Sequence, residues 1–297
     1  MEVFPGISEP ALRLTVFIIV LLALAALELF SPRRSLIAPK ARRWLTNLSI
    51  VAIGSLLVRA MAAVAVPLVA VAAAIFAARN GIGLFNLVAW PAWLEVAVAL
   101  IVLDLAIWVQ HWASHKVPLF WRLHRMHHAD RDVDVTTALR FHPFEIALSM
   151  LWKIVCVLAL GASPVAVILF EVILNGCAMF NHANLKLPAA LDRILRLVLV
   201  TPDMHRVHHS VLRREHDSNY GFNLSLWDRV FGTYVPQPRD GHEAMQLGLP
   251  EYQSDGPTRL WWSLRLPALP LSRRGEAGPD AHSDTEDRAC RPNTASF

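Results

Sequence analysis

Apolar positions gather into four long runs separated by short polar stretches. Ala11 to Phe30 is apolar apart from Arg13 and Glu28, about 20 residues, the length a helix needs to span a hydrocarbon core. Basic residues follow this run rather than precede it (Arg33, Arg34). It therefore reads as a retained span, not a signal peptide. Leu48 to Ala78 is longer than one crossing requires and predicts a tilted or overlong span, with a kink at Pro67 and a charge, Arg59, inside it. A third run extends from Trp93 to Trp112 with Asp104 in its middle. Ile146 to Phe180 is broken by Gly161-Ala162-Ser163-Pro164, a turn signal, so it predicts a helical hairpin that spans twice or re-enters.

From His182 onward the chain is polar enough to lie outside the membrane, and from about Leu271 its Arg, Gly, Pro, Ser and Asp content predicts disorder. The domains are then 1–92, N-terminal spans; 93–240, a catalytic core; and 241–297, a polar, partly disordered tail. The expected fold is an all-α integral membrane protein of four to five transmembrane or re-entrant helices, with a cytosolic helical cap.

Charge orients it. The first connection carries Arg33, Arg34, Lys40, Arg42 and Arg43; the second has only Arg79 at its edge; the third carries Lys116, Arg122, Arg125, Arg131 and Arg140. The positive-inside rule puts the first and third in the cytoplasm, the N-terminus outside and the C-terminal half cytoplasmic. A bacterial inner membrane is the expected location.

Composition supports this picture. The 297 residues are 55% hydrophobic and 18% charged, and the mean hydropathy is +0.40, values that point to a polytopic membrane protein. The net charge of +4 comes without a basic stretch interleaved with aromatics, so it reads as topology rather than nucleic-acid binding. Three cysteines without C-x-x-C support neither a disulfide framework nor a thiolate zinc site. Thirteen histidines direct metal chemistry toward imidazole.

Those histidines are patterned. His111 and His115 are spaced i, i+4 and share one helix face. His124, His127 and His128 form H-x-x-H-H, and His205, His208 and His209 repeat it. Interfacial histidines would scatter; three sets at one-face spacing do not. Eight clustered imidazoles exceed the three or four ligands of a zinc site and suit two metals, although imidazole binds Zn, Cu, Fe and Ni alike. The topology places every set on the same side of the membrane.

H-x-x-x-H, H-x-x-H-H and H-x-x-H-H in this order resemble the fatty acid hydroxylase/sterol desaturase superfamily. Thr137–Glu145 (TALRFHPFE), Asn181–Pro188 (NHANLKLP), Thr201–Ser210 (TPDMHRVHHS) and Asp217–Tyr234 (DSNYGFNLSLWDRVFGTY) are also similar. The resemblance covers residues 93–236. It implies a di-iron centre that activates O2 and oxidises a lipid C–H bond by hydroxylation or desaturation, with zinc as a substitute metal in purified protein. Electrons would come from a separate ferredoxin, cytochrome or reductase, because no G-x-G-x-x-G is present.

Two more histidines join the candidate ligands. His182 stands where the family places a metal histidine, and His142 is read as a ligand or hydrogen-bonding support, against a cap for the next helix. His216 reads as a solvated loop residue; His242 and His282 receive no role. Asp104, two turns before His111, is expected to orient His111 or His115 or to pair with Arg59. Asp203, Asp217, Asn219 and Glu145 are further candidates to support ligands, and Asp228 to brace the cap. A zinc hydrolase would require a general-base carboxylate within the motif, such as H-E-x-x-H, which is absent. A haem carrier or metal transporter would set its polar residues at membrane depth.

Overall fold

The computed structural model describes residues 2–4, 7–64 and 69–271. The expected kink at Pro67, the residues of the tail beyond Leu271, His282 and Cys290 lie outside the described residues. Apart from a short antiparallel pair at the N-terminus (Glu2–Phe4 with Ile7–Ser8), the described chain is helical.

Five helices are long and apolar enough to cross a membrane: α1 (Glu9–Phe30), α2 (Lys40–Val64), α4 (Ala92–Lys116), α6 (Pro143–Leu160) and α7 (Pro164–His182). The run 48–78 is not one tilted span. It divides into α2 and the eleven-residue α3 (Ala70–Asn80), which at about 16 Å is too short to cross alone. Ala70, Ala73, Ala74 and Ala77 form a fully buried stripe at i, i+3, i+4 and i+7. With no larger side chain in the way, α3 packs against both α6 and α7.

The hairpin expected at 146–180 is two crossing-length helices. Gly161 closes α6 with φ 67°, and Ser163 caps α7 by accepting from the Ala166 amide at 3.3 Å. The loop after α3 presses on this turn: a Cβ at Gly83 would meet the Gly161 nitrogen at 2.1 Å, so only glycine fits.

One end of the bundle carries the cap. Glu28, near the end of α1, accepts the Val135 amide at 2.7 Å and the Asn184 amide at 2.8 Å, tying α1 to the loops before α6 and after α7. Arg43 in the first turns of α2 is buried and bonds Asp130 at 2.9 Å and Asp134 at 2.6 Å. Arg140 donates to Met126 O, Asn47 Oδ1 and Ser263 Oγ. The cap itself comprises α5 (Pro118–His128) and α8 (Ala189–Leu195) through α13 (Leu260–Arg265). These helices are short, so their position rests on such buried contacts rather than on their own helical propensity.

Candidate metal centre

Four segments deliver nine buried histidines to one place. The last turns of α4 supply His111 and His115, α5 supplies His124, His127 and His128, and the last residue of α7 is His182. His205 and His208 belong to α9 (Pro202–His208), and His209 follows directly. They form two groups, His111, His115, His124, His128 and His208, and His127, His182, His205 and His209. Within each group one ring nitrogen per residue lies within 4.8 Å of all the others.

Each H-x-x-H-H motif is divided between the groups. The i, i+4 pair His124/His128 enters the first group while His127 faces the second. In α9 the relation reverses: the i, i+4 pair His205/His209 enters the second group and His208 the first. Two short helices thus each bridge both clusters.

Ring orientation is set from behind. His111 Nδ1 lies 2.6 Å from Tyr220 O, His208 Nδ1 2.6 Å from Ser218 O, and His182 Nδ1 2.7 Å from Ala178 O. A carbonyl only accepts, so each of these Nδ1 atoms carries the proton and each Nε2 offers a lone pair. His208 Nε2 nevertheless stands 3.0 Å from His111 Nε2. Two lone pairs face each other without a hydrogen between them, an arrangement that a shared cation relieves. Two imidazole nitrogens about 2.1 Å from one ion and at right angles to each other stand about 3.0 Å apart. His115 and His209 have neither ring nitrogen hydrogen-bonded. Buried imidazoles without partners are costly unless they bind something, so the donor set fits metal ions.

Protonation does not compete. Burial, reinforced by neighbouring imidazoles, holds His127, His128, His205, His208 and His209 well below the usual histidine range, and burial alone takes His124 to about 3. The rings are neutral at physiological pH, the form that ligates.

The supporting residues fall differently from expectation. Glu145 accepts from His124 Nδ1 at 2.6 Å, the carboxylate–histidine arrangement that orients metal ligands. Asp217 Oδ1 is 3.7 Å from His115 Nδ1 and also pairs with Lys116 and Arg213. Asn219, at φ 50°, donates to Met204 O and Val235 O, pinning α9, and its backbone faces the His205 ring. Asp203 pairs with Arg206 and Arg33, away from the rings of both groups.

Asp104 orients neither His111 nor His115 and does not pair with Arg59. Its carboxylate accepts Trp227 Nε1 at 2.8 Å and the Leu224 amide at 3.3 Å, which holds the 217–234 segment against α4. Asp228 takes Trp108 Nε1, the Tyr220 and Gly221 amides and Thr233 Oγ1, and so fixes the carbonyl that orients His111. His142 joins neither group. Its Nδ1 accepts the Phe144 amide at 3.3 Å as the N-cap of α6, and its Nε2 faces Leu264 O at 3.3 Å; capping occupies the ring.

His216 was expected in solvent and is buried instead. Its ring centroid lies 4.4 Å from that of His128, 4.8 Å from His115 and 5.0 Å from Trp121. Burial takes it to about 3, and its Nδ1 has no partner. Its charged neighbours Arg213, Arg214, Glu215 and Asp217 disguised it, and no helical spacing links it to the other sets.

A cavity of about 470 Å³ runs from His111 and His124 into the bundle, walled near the histidines by Ile107, Leu139, Phe141 and Phe222. An elongated apolar molecule fits such a space.

Comparison with known proteins agrees with this geometry. Residues 96–233 match the fatty acid hydroxylase family model. The chain is 26% identical over 186 residues to the ornithine lipid hydroxylase OlsE of Rhizobium tropici, covering 63% of this chain and 53% of that protein. It is 32% identical over 151 residues to the alkylglycerol monooxygenase of Xenopus tropicalis, covering 50% and 31%. To a cholesterol 25-hydroxylase-like protein of Danio rerio it is 26% identical over 140 residues, covering 47% and 55%. The chain thus spans between about a third and just over half of these relatives' lengths. No solved structure matches it. Residues 96–233, which carry all nine clustered histidines, are thus a region similar to the fatty acid hydroxylase family.

Proposed function

We propose that the protein is a di-iron oxygenase that hydroxylates, or desaturates, a C–H bond of a membrane lipid, using O2 and electrons from a separate donor. One observation carries the reading: two adjoining groups of buried, neutral imidazoles, of which the first borders a cavity within the helix bundle through His111 and His124. Hydroxylase and monooxygenase relatives support it.

His111, His115, His124, His128 and His208 would hold one iron, and His127, His182, His205 and His209 the other. Bound iron, reduced by the separate donor, would supply electrons to O2 and the oxidising power toward an unactivated carbon that acid–base side chains lack. The chain's own residues do the rest. Tyr220, Ser218 and Ala178 carbonyls and the Glu145 carboxylate keep the ring nitrogens aimed inward. Ile107, Leu139, Phe141 and Phe222 line the approach, exclude water and leave a lipid chain as the occupant that loses least by entering.

The charge distribution supports an orientation with the N-terminus outside and the histidines and cap in the cytoplasm, where a soluble ferredoxin, cytochrome or reductase could deliver electrons. In a bacterial cell this is the cytoplasmic membrane.

The test is metal analysis of anaerobically purified protein, paired with lipidomics of cells with and without it under oxygen. About two irons per chain and a lipid changed by one oxygen, or by loss of two hydrogens, are expected. A single zinc with no oxygen-dependent lipid change overturns the reading. His128→Ala and His208→Ala should each abolish the lipid change, and activity surviving either removes that residue from the ligand set.

A further inference from the structure

The cavity that begins at His111 and His124 does not remain apolar. Away from the histidines its wall carries buried Glu171 and part-buried Lys153, with half-buried Arg13 and exposed Arg59 at its outer edge, three cations against one carboxylate. Glu171 is buried and serves two of them: Lys153 Nζ lies 2.6 Å from one oxygen and Arg13 Nη2 2.7 Å from the other. Arg13 also reaches Glu9 at 2.8 Å. Arg59 has no acidic partner among the described residues. Even with Glu9 counted, the end of the cavity keeps one positive charge in excess.

All four residues sit on crossing-length helices, where ionisable groups are costly and retained for a purpose. A structural ion pair would have matched charges, and Lys153 with Glu171 alone would supply one. A third cation on the same cavity wall is what a missing anion would complete.

Distance gives the arrangement meaning. Glu145, bonded to His124, precedes Lys153 on α6 by eight residues, about 12 Å of helix axis; Glu171 precedes His182 on α7 by eleven, about 16 Å. Between these poles the wall is largely apolar, with Phe17, Ile146, Met150 and Leu174 among its residues. α1 packs on α7 and α2 on α6, while α1 and α2, the helices that carry Arg13 and Arg59, share no extended contact.

We propose that this charged end is a head-group site: the substrate is a lipid with an anionic group, carboxylate or phosphate, held by Arg59, Arg13 and Lys153, its hydrocarbon chain running back to the histidines. The anion enters between α1 and α2 and takes the place beside Arg59 that no carboxylate of the chain fills. Oxidation then falls well down the chain rather than beside the head group, at a position set by the separation of the two sites. The proposal rests on the lipid-oxidation reading for its occupant, but its test does not depend on turnover.

Equilibrium binding of radiolabelled palmitate, hexadecyl phosphate and hexadecanol would be measured on the full-length protein in nanodiscs of zwitterionic lipid. At least one anion is expected to bind about tenfold tighter than the alcohol, and which one does so separates carboxylate from phosphate. Arg59→Gln, which strands no partner, should bring the anion to near parity with the alcohol and leave alcohol binding unchanged. Arg59→Lys should restore the preference, and Lys153→Met should weaken it. Equal binding of all three probes by the unaltered protein, or a preference indifferent to Arg59→Gln, overturns the proposal. If the preference is absent while an oxygen-dependent lipid product persists, the head-group site alone fails. If the preference is present but neither iron nor product is found, the oxygenase reading fails instead.

Discussion

At the scale of single residues, the centre separates histidines that look alike in the sequence. His128 and His142 both precede or end a helix beside apolar segments, yet His128 faces four other imidazoles and His142 caps α6. His142→Ala should therefore retain full metal content while losing about 1 kcal/mol of stability, the usual cost of an N-cap; metal analysis and thermal denaturation of the same sample check both halves. Metal loss in that variant would return His142 to the ligand set. Glu145→Ala should lower metal affinity about 10- to 100-fold, the range for removing a carboxylate behind a ligating histidine, whereas Glu145→Gln, which keeps an acceptor for His124 Nδ1, should lose far less. Competition with a chelator distinguishes the two. His111, His115 and the two H-x-x-H-H sets were legible because i, i+4 spacing puts side chains on one face. His216 was not, since its approach to His128 and His115 depends on where the 210–220 loop is laid.

At the scale of elements, the short cap helices hold their places through buried polar bonds to the spans. Arg43 illustrates this: one guanidinium ties α2 to Asp130, Asp134, Asp132 O and Thr137 Oγ1. Arg43→Met leaves two buried carboxylates without their partner and should cost about 3–5 kcal/mol, read as a fall in thermal stability in detergent. A variant as stable as the parent would show that the network contributes register but little stability. Sequence reading took Arg43 as a topological charge because hydropathy sees only that it flanks a span. It likewise fused α2 and α3, because a hydropathy run records apolar length and not chain direction. The alanine stripe of α3 marks a helix packed between neighbours, and the partner surfaces on α6 and α7 become visible only once the bundle is assembled.

At the scale of the whole molecule, burial of imidazoles links stability to pH. His242, in the cap, is held at about 4, chiefly by desolvation and against the pull of Asp203. In the unfolded chain it titrates near 6.5, so between those values the unfolded state binds the extra proton. Stability is fully present above about pH 6.5 and is lost as pH falls through about 4. The melting temperature of the protein should decline over this window, and the decline should be shallower in His242→Gln; an unchanged slope would exclude His242 as a contributor. His216, held at about 3, acts in the same direction.

The sequence by itself determined the class of fold, the membrane-crossing segments at α1, α4, α6 and α7, and the identity of nearly every clustered histidine. These follow from local quantities: the length of an apolar run, a turn signal, and residue spacing along a helix. Tertiary structure decided how each H-x-x-H-H is divided between the two groups, that His182 joins and His142 does not, and that Asp104 and Asp228 hold the 217–234 segment instead of the ligands. It also brought Arg13, Arg59, Lys153 and Glu171 from four helices to one cavity wall. Helix periodicity states which side chains share a face; only the packing of one helix on another states what that face meets.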